Sequence, residues 1–69
     1  MTQKQLVLKY IEDYGSITMF EAFRDLGITK CNTIVSYLRR DGYKIKGEWE
    51  TSRNRYGKPV RYMRYSFEL

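Results

Sequence analysis

Two stretches of the chain concentrate side chains able to meet a polyanion. The first holds Lys30, Asn32, Thr33, Ser36, Tyr37 and Arg40; the second holds Arg53, Asn54, Arg55, Lys58 and Arg61. Lys and Arg neutralise phosphate charge, and hydroxyls add hydrogen bonds to phosphate oxygens. An Asn amide presents a donor beside an acceptor, which matches the edge of adenine, and a Thr methyl can lie against that of thymine. Catalytic chemistry is poorly supplied. The 69 residues contain no histidine and one cysteine, Cys31. Histidine-based acid–base and triad catalysis are therefore excluded, as are an internal disulfide and the common zinc spacings. The carboxylates are scattered, with no pair suited to acid–base work, and Gly42 and Gly47 do not make a phosphate-cradling loop. No enzyme activity, metal site or cofactor is expected.

The formal net charge is +5, but its distribution is more informative. Residues 1–28 carry Lys4, Lys9 and Arg24 against Glu12, Asp13, Glu21 and Asp25, a net of −1. Residues 29–69 carry ten Lys or Arg against Asp41, Glu48, Glu50 and Glu68, a net of +6. Such asymmetry points to a polyanionic partner at the basic half. The apolar fraction of 42% and the eleven aromatics suffice for one small core, so one domain over 1–69 is expected. No apolar run is long enough to span a membrane and no signal peptide opens the chain, so a cytoplasmic protein without membrane partners is expected.

The elements that position these residues follow from periodicity and caps. Thr2 and Gln5 have capping-box spacing, and Leu6, Val7, Tyr10, Ile11 and Tyr14 then form an apolar stripe that Gly15 ends. Leu8 falls off the stripe and should be partly exposed. Ser16-Ile17 is a short link, and Thr18 and Glu21 repeat the capping box. A second helix over about 19–26 should bury Met19, Ala22, Phe23 and Leu26. Gly27 suits a left-handed turn, after which Ile28 can tuck into the core. Thr29 is the next cap candidate, and a third helix should run from about Lys30 to Arg40, stopped by Asp41-Gly42. Its core face is Cys31, Val35 and Leu38, with Ile34 at the edge, and Cys31 there reads as a small core residue.

Past Gly42 the period changes to alternation. Tyr43, Ile45, Gly47, Trp49 and Thr51 share one side of a strand, and Lys44, Lys46, Glu48 and Glu50 share the other. Ser52 to Pro59 reads as a hairpin loop. A return strand begins at Val60, with Met63, Tyr65, Phe67 and Leu69 alternating with Tyr62, Arg64, Ser66 and Glu68. Trp49, Met63 and Phe67 should pack on the helices, and a segment at Ile17 could add a third strand. The class is α+β: three helices, then a two-stranded antiparallel hairpin, the order of a winged helix-turn-helix. The helix-turn-helix covers about 18–41 and the wing about 43–69.

In that arrangement the second helix of the pair enters the major groove of DNA. At about 100° per residue, the face opposite Cys31, Val35 and Leu38 presents Thr29, Thr33, Ser36, Tyr37 and Arg40, with Lys30 and Asn32 at its margins. Asn32 is placed to read adenine and Thr33 a thymine methyl; Lys30, Ser36, Tyr37 and Arg40 suit phosphates. Arg53, Asn54, Arg55, Lys58 and Arg61 cluster at the hairpin loop, where they can meet phosphates or the minor groove, and Tyr56 can stack. Arg39 is expected along the hairpin.

The stretches "GSITMFEAFRDLGIT", "SYLRRDGYKI" and "RYGKPVRYMRYSF", which cover most of the chain, resemble the winged helix-turn-helix superfamily. More closely, they resemble small helix-turn-helix proteins encoded by phages and prophages of Gram-positive bacteria. The resemblance implies double-stranded DNA binding and a role in phage gene control or genome handling inside a bacterial host cell. It places recognition at Lys30, Asn32, Thr33, Ser36 and Tyr37, and the wing at Arg53 to Lys58. The compact helix-turn-helix pattern sets a small residue four before the turn glycine; here Phe23 stands there, and Ala22 lies five before Gly27.

A competing function on the same scaffold is a phage-encoded inhibitor of a host nucleic-acid enzyme, such as an anti-CRISPR protein, with Ile34, Tyr37 and Tyr56 as exposed anchors. A mimic of DNA should be acidic, which this chain is not. A homodimer through strand edges or the first helix is compatible with either function.

Overall fold

A computed structural model describes residues 1–68. The chain forms α1 (Gln3–Tyr14), β1 (Ile17–Thr18), α2 (Met19–Leu26), α3 (Cys31–Arg40), β2 (Ile45–Arg53) and β3 (Pro59–Phe67). The three strands make one antiparallel sheet in the order β1-β3-β2. β3 is therefore central, and the short segment at Ile17 is the third strand that the sequence allowed.

Both capping boxes form. Thr2 Oγ1 accepts from Gln5 N–H while Gln5 Oε1 accepts from Thr2 N–H, and Thr18 and Glu21 repeat the exchange at α2. Each box satisfies amide groups that the helix itself leaves unpaired. At the end of α2, Gly27 takes φ +70°. This lets Gly27 N–H reach Phe23 O and Ile28 N–H return to Ala22 O, and it drops Ile28 into the core. The third helix differs from expectation. It starts at Cys31, its cap is Lys30 instead of Thr29, and no side chain caps it. Its first amide groups are thus left to solvent or to a ligand.

The core joins Val7, Tyr10 and Ile11 of α1, Ile17, Ala22, Ile28, the inner face of α3, Ile45 and Tyr65. Ile34 belongs to that inner face and is 5% exposed, so it is not a surface anchor. Leu8 is half-buried, as its place off the stripe implies. Ties at the rim are polar. Tyr10 Oη donates to Asp25 Oδ2 at 2.6 Å, and Arg24 Nε lies 2.8 Å from Asp25 Oδ1. The Arg24 and Tyr10 hydrogen bonds hold the Asp25 carboxyl at a pKa of about 2. Lys4 Nζ, 2.8 Å from Asp41 Oδ2, links α1 to the end of α3.

Several apolar residues expected inside lie outside. Phe23 is 60% exposed and Met19 is exposed; Phe20, off the expected buried side, is 67% exposed. The eight residues of α2 offer the core little beyond Ala22 and part of Leu26, and the two residues of β1 do not extend the sheet beneath the rest. Tyr14 is exposed at the end of α1, its ring centroid 4.7 Å from that of Tyr10. Trp49 is 61% exposed, because the hairpin continues beyond the helices; Met63 and Phe67, nearer its base, do pack on the core. Tyr43 is exposed and precedes β2, which starts at Ile45. The strands also extend further than expected towards the tip, leaving 54–58 as the loop. Leu69 lies outside the described residues.

The two classes of apolar residue should separate in denaturation. Ile28→Ala is expected to lower the unfolding free energy by about 2–5 kcal/mol, and Phe20→Ala to change it by no more than about 0.5 kcal/mol. Urea titrations of both variants check this, and equal losses would contradict the placement of α2.

Candidate nucleic-acid interface

The outer face of α3 carries Lys30, Asn32, Thr33, Ser36, Tyr37 and Arg40, all exposed. The face exists because Cys31, Ile34, Val35 and Leu38 turn the other side of the helix into the core. Ser36 Oγ donates to Asn32 O at 3.1 Å, a bond back along the helix. The Tyr37 ring lies between two cations, with Lys4 Nζ 5.9 Å and the Arg40 guanidinium carbon 5.8 Å from its centroid. Asn32 is also tied to the sheet: Tyr65 Oη donates to its Oδ1 at 3.0 Å. Arg39 Nε donates to Ile45 O at 2.9 Å, and its guanidinium lies over the Tyr65 ring, so Arg39 follows the hairpin as expected.

The tip of the hairpin is shaped by Asn54. Its Oδ1 accepts from both Tyr56 N–H and Lys58 N–H, and its own N–H donates to Lys58 O. Gly57, at φ +79°, donates to Asn54 O and closes the turn. Asn54 therefore spends its acceptor on the loop, a role that its sequence position alone did not reveal. Arg53 Nη1 donates to Gly57 O at 2.8 Å. Arg55, Tyr56 and Lys58 project from the resulting frame as exposed side chains. Arg61 lies over the Trp49 ring, 4.7 Å from its centroid, so these two exposed residues form one amphipathic patch beside the tip.

The ion pairs divide the molecule more sharply than the sequence charge does. In the first half Lys4, Lys9 and Arg24 each have a carboxylate partner. Among the described residues of the second half, Lys46 and Arg64 alone do. Among the described residues, Lys30, Arg39, Arg40, Lys44, Arg53, Arg55, Lys58 and Arg61 have no carboxylate within ion-pair distance. Arg64 bridges Glu50 of β2 and Glu21 of α2 and also donates to Ser16 Oγ, which makes it a structural cation. Lys44 was not singled out in the sequence; its exposure and its place just after α3 add it to the basic surface.

A family model described as a winged helix-turn-helix domain matches residues 2–68. The chain belongs to the winged helix-turn-helix family. Domains of this family are typically DNA-binding modules, and membership suggests DNA binding here. No curated protein and no solved structure gives a significant match. In winged-helix terms α2 and α3 are the helix-turn-helix, and β2, β3 and their loop are the wing. Among the described residues no cluster of His, Cys, Asp or Glu could hold a metal ion, and no helix is long and apolar enough to cross a membrane.

Cys31 is fully buried against the core, and burial pushes its thiol up to about 11. Only the thiolate attacks disulfides readily. At pH 8 the native protein should react with an aromatic disulfide reagent on the order of tenfold or more slowly than the protein in urea. Equal rates would show that the α3 core face is open.

Proposed function

We propose that this winged helix binds double-stranded DNA as a regulator or accessory factor in phage or prophage gene control. In this reading α3 lies in the major groove and the wing lies on the backbone or in the minor groove. The observation that carries the reading is the segregation of uncompensated cations: among the described residues, the Lys and Arg side chains without a carboxylate partner all lie between Lys30 at the start of α3 and Arg61 in the wing. Folding has neutralised the rest of the surface and left this part unmatched, as a phosphate backbone requires.

Each contact has a supporting feature. Lys30 and the uncapped start of α3 offer charge and free amide groups to phosphate. Asn32 and Thr33 occupy the first turn of α3, the part of a recognition helix that approaches base edges. Ser36, Tyr37 and Arg40 continue along the exposed face towards a phosphate strand. Arg53, Arg55 and Lys58 extend the cationic surface onto the wing, with Arg61 behind them. The phage association rests on the resemblance of the three sequence stretches.

A second reading, a protein-binding inhibitor of a host nucleic-acid enzyme, draws on a groove between α2 and the wing, which Arg53 and Arg61 also line. Met19 and Phe20 of α2 and Val60 and Tyr62 of β3 line an open groove of about 490 Å³. Exposed aromatic side chains of this kind are typical anchors between proteins.

Titration of a labelled duplex of random sequence at several salt concentrations tests the DNA reading. For about five neutralised phosphates, log affinity should fall with log salt at a slope of about −4 to −5. Reversal of Arg53, Arg55 and Lys58 together to Glu should weaken binding to all sequences and reduce the slope's magnitude by about 2–3. An unchanged slope would remove the wing from the interface. Absence of binding at low salt would overturn the reading and favour the groove.

A further inference from the structure

We propose that Tyr65 is a positioning residue for base recognition, holding the Asn32 amide so that its Nδ2 donor faces the groove and selects a base edge that presents an acceptor. This rests on the reading of the chain as a duplex-DNA binder with α3 in the major groove. Asn32 is the second residue of α3, exposed, and on the turn nearest the bases in that reading. An Asn amide held by nothing can turn over and present either oxygen or nitrogen. It would then meet base acceptors and base donors alike and discriminate weakly.

Tyr65 gives the amide a partner on the sheet side. It lies on the central strand, opposite Gly47 on one side and Ile17 on the other, so its backbone is fixed from both edges. Its ring is buried in the core and lies beneath the Arg39 guanidinium. Its hydroxyl donates to Asn32 Oδ1 at 3.0 Å. Burial raises the pKa of the Tyr65 hydroxyl, so it keeps the proton that it donates. Asn32 Nδ2 has no protein partner among the described residues. With Oδ1 drawn towards the sheet, the amide hydrogens are its outward polar groups.

A donor so placed discriminates among base edges in the major groove. Adenine and guanine present N7, and thymine O4, as acceptors, whereas cytosine presents only the N4 amino donor. The arrangement therefore accepts a purine or thymine and rejects cytosine. It also modifies the simple expectation of an adenine pair, because one of the two Oδ1 lone pairs already serves Tyr65.

The test is selection of preferred sites from a randomised duplex library, followed by affinity measurements on single-position variants of the selected site. For the wild type, exchanging the selected base at one position for cytosine should weaken binding about fivefold, the size of one hydrogen bond. Tyr65→Phe and Asn32→Ala should each bring that ratio close to one, with the salt slope unchanged. The double variant should lose no more than either single variant, since both act through one contact. Asn32→Asp keeps an oxygen for Tyr65 but turns an acceptor outward, so cytosine or adenine, which present amino donors, should be preferred at that position over guanine and thymine. Because Asn32 is exposed, this last variant remains informative if Tyr65→Phe fails to fold. Retained discrimination against cytosine in Asn32→Asp, or full discrimination in Tyr65→Phe, would overturn the proposal. Salt-dependent duplex binding with no position that disfavours cytosine would overturn it while leaving the DNA reading standing. No duplex binding at low salt would overturn both.

Discussion

Tyr65 lies where the sheet and α3 meet. Its backbone is held between β1 and β2, its ring fills the core and its hydroxyl ends on Asn32. A domain of 69 residues buries too few side chains to fix each element separately. The same aromatic residue both fills the core and ties the central strand to α3. Arg39 closes the joint from outside by bonding Ile45 O and covering the ring. The exposed faces of α3 and of the wing thus share one junction.

The charges follow the same division of labour. Carboxylates are placed where cations serve the fold: Asp25 beside Arg24, Asp41 beside Lys4, and Glu21 and Glu50 beside Arg64. Most of these pairs are at least partly exposed and contribute little each. Their larger effect is on the surface potential, since they neutralise the first half and leave α3 and the wing positive. In such a field, association with a polyanion is fast and sensitive to salt.

Much of the fold was legible because its signals are local. The two capping boxes need only residues three apart, and the Gly27 turn needs only a glycine followed by an apolar residue. The buried face of α3 was legible from period alone. What period does not give is depth. Phe23 and Trp49 sit at positions with the right spacing, but a short α2 and a long hairpin leave nothing to cover them. Boundaries moved where chemistry was ambiguous, as at Thr29, whose side chain could cap a helix that instead starts one residue later. The candidate site was legible as a list of exposed residues. Its organisation was not, because the bond between Tyr65 and Asn32 spans 33 residues. Asn54 looked like a ligand contact from its neighbours, and only the folded loop shows its acceptor in use.

The central claim is that the unmatched cations of α3 and the wing form one surface for duplex DNA. Backbone amide NMR spectra of the protein, recorded as a random duplex is added at low salt, test it most directly. The account predicts that the largest shifts fall in residues 30–40 and 53–58, that residues 3–14 stay quiet, and that added salt reverses the changes. Shifts confined to Met19, Phe20, Val60 and Tyr62, or no shifts at all, would contradict it.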